Sequence, residues 1–254
     1  MITERSMNII VTAGGTSEPI DNVRRIANTG TGRLGSLIAE ELAADAMVGH
    51  IFYVCAKDSF RPVSEKVVCV EIESVSDLQA AVTELMEKNE IHGIIHSMAV
   101  SDYTVRSVTT VESLVDFLTN DITNDMKEKI LKGMDQTDIR SGGGKLSSQM
   151  KSPLLLLEPT PKIISMFRKM APQAVIVGFK LLSNVSKEEL LDTAHRLLVK
   201  NDCDYVLAND AKEINTDHHH AYLLDKEKNS RTFDTKAEIA KGIADIVLRE
   251  VKRK

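Results

Sequence analysis

The 254-residue chain is 43% hydrophobic and 27% charged with a formal net charge of −5, the balance of an ordinary globular protein. That acidic balance argues against a nucleic-acid binder, which needs a basic face toward phosphates, and no apolar run is long enough to span a bilayer. Met1 to Ser6 do not read as a signal peptide, and the three dispersed cysteines, Cys55, Cys69 and Cys203, read as buried free thiols, so a reducing, cytoplasmic compartment is expected.

At the amino end, Asn8–Ala13 contains the apolar run Ile9-Ile10-Val11 and reads as a buried parallel strand. It stops at Gly14-Gly15, where a phosphate-bearing ligand has access to bare backbone. Gly30, Gly32 and Gly35 form a literal G-x-G-x-x-G, and an amphipathic helix is expected over Leu34–Ala46. In a dinucleotide-binding protein those glycines follow the first strand at once. Here Thr16 to Thr29 intervene, which counts against an ordinary NAD fold. A glycine-rich helix start still offers N–H groups and a positive dipole end to an anion, and the alternative is a tight turn with a packing glycine.

Further along, His50–Cys55, Val67–Ile72, Gly93–Ser97, Ala174–Phe179 and Tyr205–Ala208 read as short strands. Ser76–Asn89, Lys162–Ala171, Lys187–Asn201 and Lys236–Glu250 show helical spacing of apolar residues. The alternation predicts an α/β fold, a Rossmann-like mostly parallel sheet with helices on both faces. Thr104–Ser141 is polar and less regular, with helices expected near Thr110–Leu118 and Asn124–Leu131 and a glycine run at Gly142 to Gly144. Ser147–Leu157 suits a strand or hairpin pairing away from the main sheet, and Ala221–Leu224 with Arg231–Phe233 reads as a late hairpin. The chain is thus expected to be one domain over residues 1–254, with 104–160 a flap or dimerisation arm. A surface loop is the competing reading of the irregular stretch.

The order Ala13-Gly-Gly-Thr-x-Glu-Pro-Ile-Asp21, then Val23-Arg-x-Ile-x-Asn28-x-x-x-Gly32-x-x-Gly35, resembles the nucleotide-binding start of the phosphopantothenate–cysteine ligase family. Ala99-Val-Ser-Asp-Tyr103, Lys145-Leu-Ser-Ser148, Pro161-Lys-Ile163, Val177-Gly-Phe-Lys-Leu181 and Leu207-Ala-Asn-Asp210 follow in the family's order, so the resemblance spans nearly the whole chain. It implies a monofunctional bacterial ligase, phosphopantothenoylcysteine synthetase, that joins phosphopantothenate to cysteine through an acyl-nucleotide. The products would be nucleotide monophosphate and pyrophosphate, in coenzyme A assembly. A homodimer with shared active sites, CTP or ATP, Mg²⁺ and no flavin are implied as well, with a separate decarboxylase supplying the partner activity. The segment before Lys145 is longer than the family pattern.

By that resemblance Asn28 contacts the substrate carboxylate and acyl intermediate, helix N-capping being the alternative. Gly14, Gly30, Gly32 and Gly35 would line the triphosphate, and Arg24 would reach phosphopantothenate in the neighbouring subunit; Arg25 reads as a surface residue. Ser97, Met98, Ala99 and Asp102 would line nucleotide or substrate at a strand end, with Asp102 alternatively a cap. His96 reads as a buried strand residue. Lys145 would contact the nucleotide from its glycine tether, joined by Pro161, Lys162, Phe179 and Asn209. Arg196 and Lys200, four apart on one helix, face either the nucleotide or solvent. His218-His219-His220 reads as a turn, because three consecutive side chains on a strand do not converge on one ion. Glu112, Asp116, Asp121, Asp125 and Glu128 read as solvent-facing. Two other function classes remain open. One is an NAD(P)-dependent reductase using the Gly30 loop with Asp58 at the ribose, and the other a non-catalytic nucleotide sensor.

Overall fold

The computed structural model describes residues 6–120, 125–142, 145–215 and 218–253. The expectations for Met1–Arg5, Asp121, Asn124, Gly143 and Gly144 lie outside those residues. In chain order the strands are β1 (Met7–Ala13), β2 (Ser17–Pro19), β3 (Arg25–Ala27), β4 (Val48–Ala56), β5 (Val67–Ile72) and β6 (Gly93–His96). β7 (Tyr103–Thr110), β8 (Pro153–Pro159), β9 (Val175–Leu182), β10 (Tyr205–Asp210), β11 (Ala221–Leu224) and β12 (Ser230–Phe233) follow. The helices are α1 (Arg33–Ala43), α2 (Val75–Lys88), α3 (Val111–Asn120), α4 (Met126–Gln136), α5 (Ile164–Met170), α6 (Lys187–Asn201) and α7 (Lys236–Arg253).

Two compact units result. The first takes Met1–Thr16, Thr29–Ala99 and Lys162–Lys254. Its sheet runs β12-β11-β10-β9-β6-β1-β4-β5, parallel from β10 to β5 and antiparallel only at β11 and β12. This is the mostly parallel α/β architecture that the alternating pattern predicts. β1 and β6 are buried on both faces, which is why they read as unbroken apolar runs. Ile9, Val11 and Ala13 point to the face closed by α1 and α7, with Ile38, Leu42, Ile243 and Val247. α2, α5 and α6 form a second helical layer against the same sheet. α2 starts where the sequence provides a capping box, Ser74 accepting from Asp77 N–H and Asp77 accepting from Ser74 N–H. Cys55 and Cys203 are buried, and burial pushes their thiols up to about 11 and about 12. Cys69 corrects the expectation of three buried thiols. It sits on β5, the sheet edge, and is exposed.

His96 is buried at the end of β6. Its Nδ1 lies 2.8 Å from Thr12 Oγ1, and its ring meets Phe167 edge-on at 5.1 Å. Burial pushes its pKa down to about 4. The folded state therefore disfavours the proton that an unfolded histidine takes up near pH 6.5. The associated stability is complete above pH 6.5 and is lost as pH falls toward 4, on the order of 3 kcal/mol in all. The urea midpoint should drop between pH 7 and pH 5, and His96→Gln should flatten that drop. An identical pH dependence in the variant would show that His96 is not the group responsible.

The second unit takes Ser17–Asn28 and Val100–Pro161. β7 and β8 pair antiparallel away from the main sheet, as the segment before Leu157 suggests, although β8 begins only at Pro153. β7 itself falls in the stretch whose sequence reads as irregular. A register shift between Val105 and Ser107 breaks its alternation, so Ser107, Val108 and Thr109 are buried in succession. Arg140 satisfies the kinked backbone by donating to the carbonyls of Val105 and Arg106. α3 and α4 pack on each other and on β7. The hairpin of β2 and β3 also escapes the sequence pattern, being three residues per strand with Pro19 at one end.

Candidate functional site

β1 lies between β4 and β6, so the strand order reverses there, and the carboxyl ends of β1 and β6 are the place where open α/β sheets carry ligands. Gly14 and Thr16 bridge those ends. Ala99 N–H donates to Gly14 O at 2.8 Å, and Thr16 N–H donates to Ala99 O at 3.0 Å. The Ser97 hydroxyl donates to Thr12 O at 2.7 Å. Gly30 then packs on Gly14 so closely that a β-carbon on Gly30 would sit 2.5 Å from the Gly14 carbonyl oxygen. Gly32 begins α1 with φ of 75°, a conformation that suits glycine; it has no side chain to cap the helix, Thr31 Oγ1 accepts from Arg33 N–H at 3.4 Å, and no acidic residue occupies the first turn. Gly35 presses α1 against β1, where an added β-carbon would lie 2.6 Å from Ala13 Cβ. Gly14, Gly30, Gly32, Gly35, Ser97, Met98 and Ala99 are thus brought together at a helix start suited to an anion.

The turn after β4 supports this loop and carries residues that the sequence does not signal. The Tyr53 hydroxyl donates to Phe60 O at 2.8 Å and lies 3.2 Å from Gly32 O, while Phe60 N–H donates to Thr31 O at 3.0 Å. Burial raises the Tyr53 phenol, keeping it protonated as a donor. Asp58, the ribose contact of the reductase reading, is exposed in that turn.

Phe179 is half-buried on β9, and Asn209 is buried at the carboxyl end of β10. Asn209 Nδ2 lies 3.1 Å from His219 Nε2, and burial pushes His219 down to about 4. The three consecutive histidines do not converge: His218 is exposed, His219 meets Asn209, and His220 meets Asp234 and Tyr222. Among the described residues no three His, Cys, Asp or Glu side chains group to hold a metal ion. Arg196 and Lys200 are exposed toward the C-terminal end of α6, which leads into the amino end of β10, the end of the sheet opposite the carboxyl ends of β1 and β6. Lys162 is exposed just ahead of α5, its carbonyl accepting from Ser165 N–H at 3.0 Å, and Pro161 before it is also exposed.

In the second unit, Asn28 follows β3 and is exposed; Gly32, not Asn28, caps α1. Asp102 is exposed ahead of β7, its carbonyl accepting from Thr160 N–H at 3.0 Å. Lys145 is exposed and lines an open groove of about 540 Å³ with Thr110, Ile139 and Gln149. The next residue is anchored from both sides. Asp21 Oδ2 accepts from Leu146 N–H at 3.0 Å, and Arg24 Nη2 donates to Leu146 O at 3.0 Å. Arg24 also meets Asp21 Oδ2 through Nε at 2.9 Å and Nη2 at 2.6 Å, which holds the Asp21 carboxyl well below the usual carboxylate range. The Asp21–Arg24 pair therefore sets the backbone beside Lys145, a role that the sequence reading did not give it.

The fold and the glycine loop define a Rossmann-like α/β protein with a glycine-lined helix start at the switch point of its sheet. The chain belongs to the family described as the DNA/pantothenate metabolism flavoprotein C-terminal domain, whose profile matches residues 5–113 and 135–251. It is 28% identical over 241 residues to the coenzyme A biosynthesis bifunctional protein CoaBC of Thermococcus kodakarensis, covering 93% of this chain and 50% of that protein. The chain spans about half the length of curated relatives that it matches. A solved structure titled as the DNA/pantothenate metabolism flavoprotein from Streptococcus pneumoniae is 34% identical with a TM-score of 0.81, covering 96% of this chain and 99% of that one. The C-terminal domain of a coenzyme A biosynthesis bifunctional protein CoaBC shares the fold at 21% identity and a TM-score of 0.68, over 98% of this chain and 100% of that domain. Among the described residues no helix is long and apolar enough to cross a membrane.

Proposed function

We propose that this chain is a phosphopantothenate–cysteine ligase acting in coenzyme A assembly. The observation that carries the reading is Gly30 seated on Gly14 at the sheet's switch point, inside the family's Val-Arg-x-Ile-x-Asn-x-x-x-Gly motif. Hydroxide is a poor leaving group, so the carboxylate needs activation. A carboxylate oxygen attacks the α-phosphorus of a nucleoside triphosphate and pyrophosphate departs. The cysteine amine then attacks the acyl carbon and displaces nucleotide monophosphate, with a proton released. The glycine loop would hold phosphates by backbone N–H groups, as a preorganised site does at no reorganisation cost. Asn28 and Asp102 would contact the reacting carboxylate, Met98 and Ala99 would line it, and Lys145 would neutralise charge on the nucleotide. Phe179 and Asn209 would meet the base.

Mg²⁺ would arrive on the phosphates and neutralise them, keeping most of its water, in accord with its reluctance to shed ligands. Ligation involves no electron transfer, so the proposal assigns no flavin to this chain. It includes a homodimer in which the second unit, residues 104–160 above all, supplies the subunit contact and Arg24 serves the neighbouring site. The site residues leave CTP and ATP as parallel choices. The reductase reading is weaker, because neither the family nor the placement of Asp58 favours it.

Incubation with phosphopantothenate, cysteine, Mg²⁺ and either CTP or ATP should release pyrophosphate and nucleotide monophosphate, with the amide product identified by mass. Diphosphate and inorganic phosphate would instead indicate an acyl-phosphate route and overturn the mechanism.

A further inference from the structure

Ser59 lies in the turn after β4 and is 9% exposed, and its hydroxyl makes no hydrogen bond to any described residue. A buried hydroxyl without a partner is uncommon and calls for an explanation such as an unseen ligand. Its position supplies one. A β-carbon on Gly14 would lie 2.0 Å from Ser59 Oγ, and one on Gly32 would lie 3.4 Å from it. Both glycines have positive φ, 88° and 75°, so the backbone curls around the hydroxyl and Oγ stands in the hollow left by two absent side chains. That hollow adjoins the first turn of α1, an eleven-residue helix whose N-cap, Gly32, has no side chain, the Arg33 N–H reaching only Thr31 Oγ1 at 3.4 Å. Arg33, the first residue of α1, stacks its guanidinium 5.0 Å above the Phe60 ring, placing a cation beside the same turn. Tyr53 and Phe60 lock the turn to Thr31 and Gly32, so Ser59 is held in place while lacking an acceptor.

We infer that the Ser59 hydroxyl donates a hydrogen bond to a phosphate oxygen of a nucleoside triphosphate bound at the start of α1. The inference deepens the ligase reading and rests on it for the identity of the ligand. Ser59 gains its missing acceptor only when the anion is present, so its contribution appears in phosphate affinity and not in the stability of the free protein. Removing the hydroxyl takes away one charge-assisted hydrogen bond, a contact stronger than a neutral one.

The test is calorimetric binding of CTP, ATP, inorganic tripolyphosphate, cytidine and adenosine to the full chain and to Ser59→Ala. The variant should bind the triphosphates and tripolyphosphate about tenfold more weakly, while nucleoside binding and the melting temperature without ligand stay unchanged or the latter rises. Unchanged triphosphate affinity, or equal weakening for nucleosides and triphosphates, overturns the inference. If Ser59→Ala fails to fold, Ser59→Cys replaces it, being near-isosteric with a poor donor, and must show the same phosphate-selective loss. Phosphate-selective loss in a protein that makes no amide product would sink the ligase reading and leave this inference standing. Absence of all triphosphate and tripolyphosphate binding would sink both.

Discussion

Gly30→Ala is expected to raise the dissociation constant for nucleoside triphosphate about a hundredfold and to take ligation below detection. The added β-carbon would fall 2.5 Å from Gly14 O and 2.8 Å from Gly14 C. Those atoms are backbone, and the Gly14 carbonyl already accepts from Ala99 N–H at 2.8 Å. No flexible side chain is available to swing aside, so the clash must be relieved by moving either the glycine loop or the end of β1. Overpacking of this kind costs about 1–3 kcal/mol of stability. A displacement near 1 Å at a positioning loop costs about two orders of magnitude in function. Denaturant unfolding and calorimetric binding separate the two effects. A folded Gly30→Ala protein with ordinary triphosphate affinity would show that this approach does not build the anion site.

The same contact explains why the glycine spacing reads ambiguously in the sequence. Fourteen residues, Thr16 to Thr29, separate Gly15 from Gly30, which argues against a dinucleotide loop. In the structure Ser17–Asn28 belongs to the second unit, and the chain then returns to set Gly30 on Gly14. The local pattern reports the strand and the helix start but not the excursion between them, because a non-local return leaves no periodicity. Long, strongly periodic elements such as α6 and β5 were legible to the residue. β7 was not, since its register shift destroys the alternation on which strand recognition depends. Arg24 illustrates a different limit. Its motif signals a cation for an anionic ligand, but besides the local salt bridge to Asp21 it donates to Leu146 O, on a segment more than a hundred residues away. Arg196 and Lys200 share a helix face as their spacing requires, yet spacing carries no information on which end of the sheet that face adjoins.

Asn28→Asp should slow the second half-reaction more than the first and cause acyl-nucleotide to accumulate. Asn28 is exposed at the end of β3, two residues ahead of Gly30 in the chain, and does not serve as the cap of α1. The family motif implies that its amide donates to the acyl oxygen that gains negative charge as the cysteine amine attacks. Aspartate keeps the size of the side chain, removes the donor and places a negative charge beside that oxygen. Loss of one such donor typically costs about two to three orders of magnitude in rate. Activation of the carboxylate draws mainly on triphosphate contacts from Gly30, Gly32 and Lys145, so the first half-reaction should suffer less. Rapid quench and mass spectrometry should reveal the acyl-nucleotide in Asn28→Asp, whereas Lys145→Gln should form little of it. A folded, nucleotide-binding Asn28→Asp protein that makes no intermediate would place Asn28 in the activation step and overturn its assignment to amine attack.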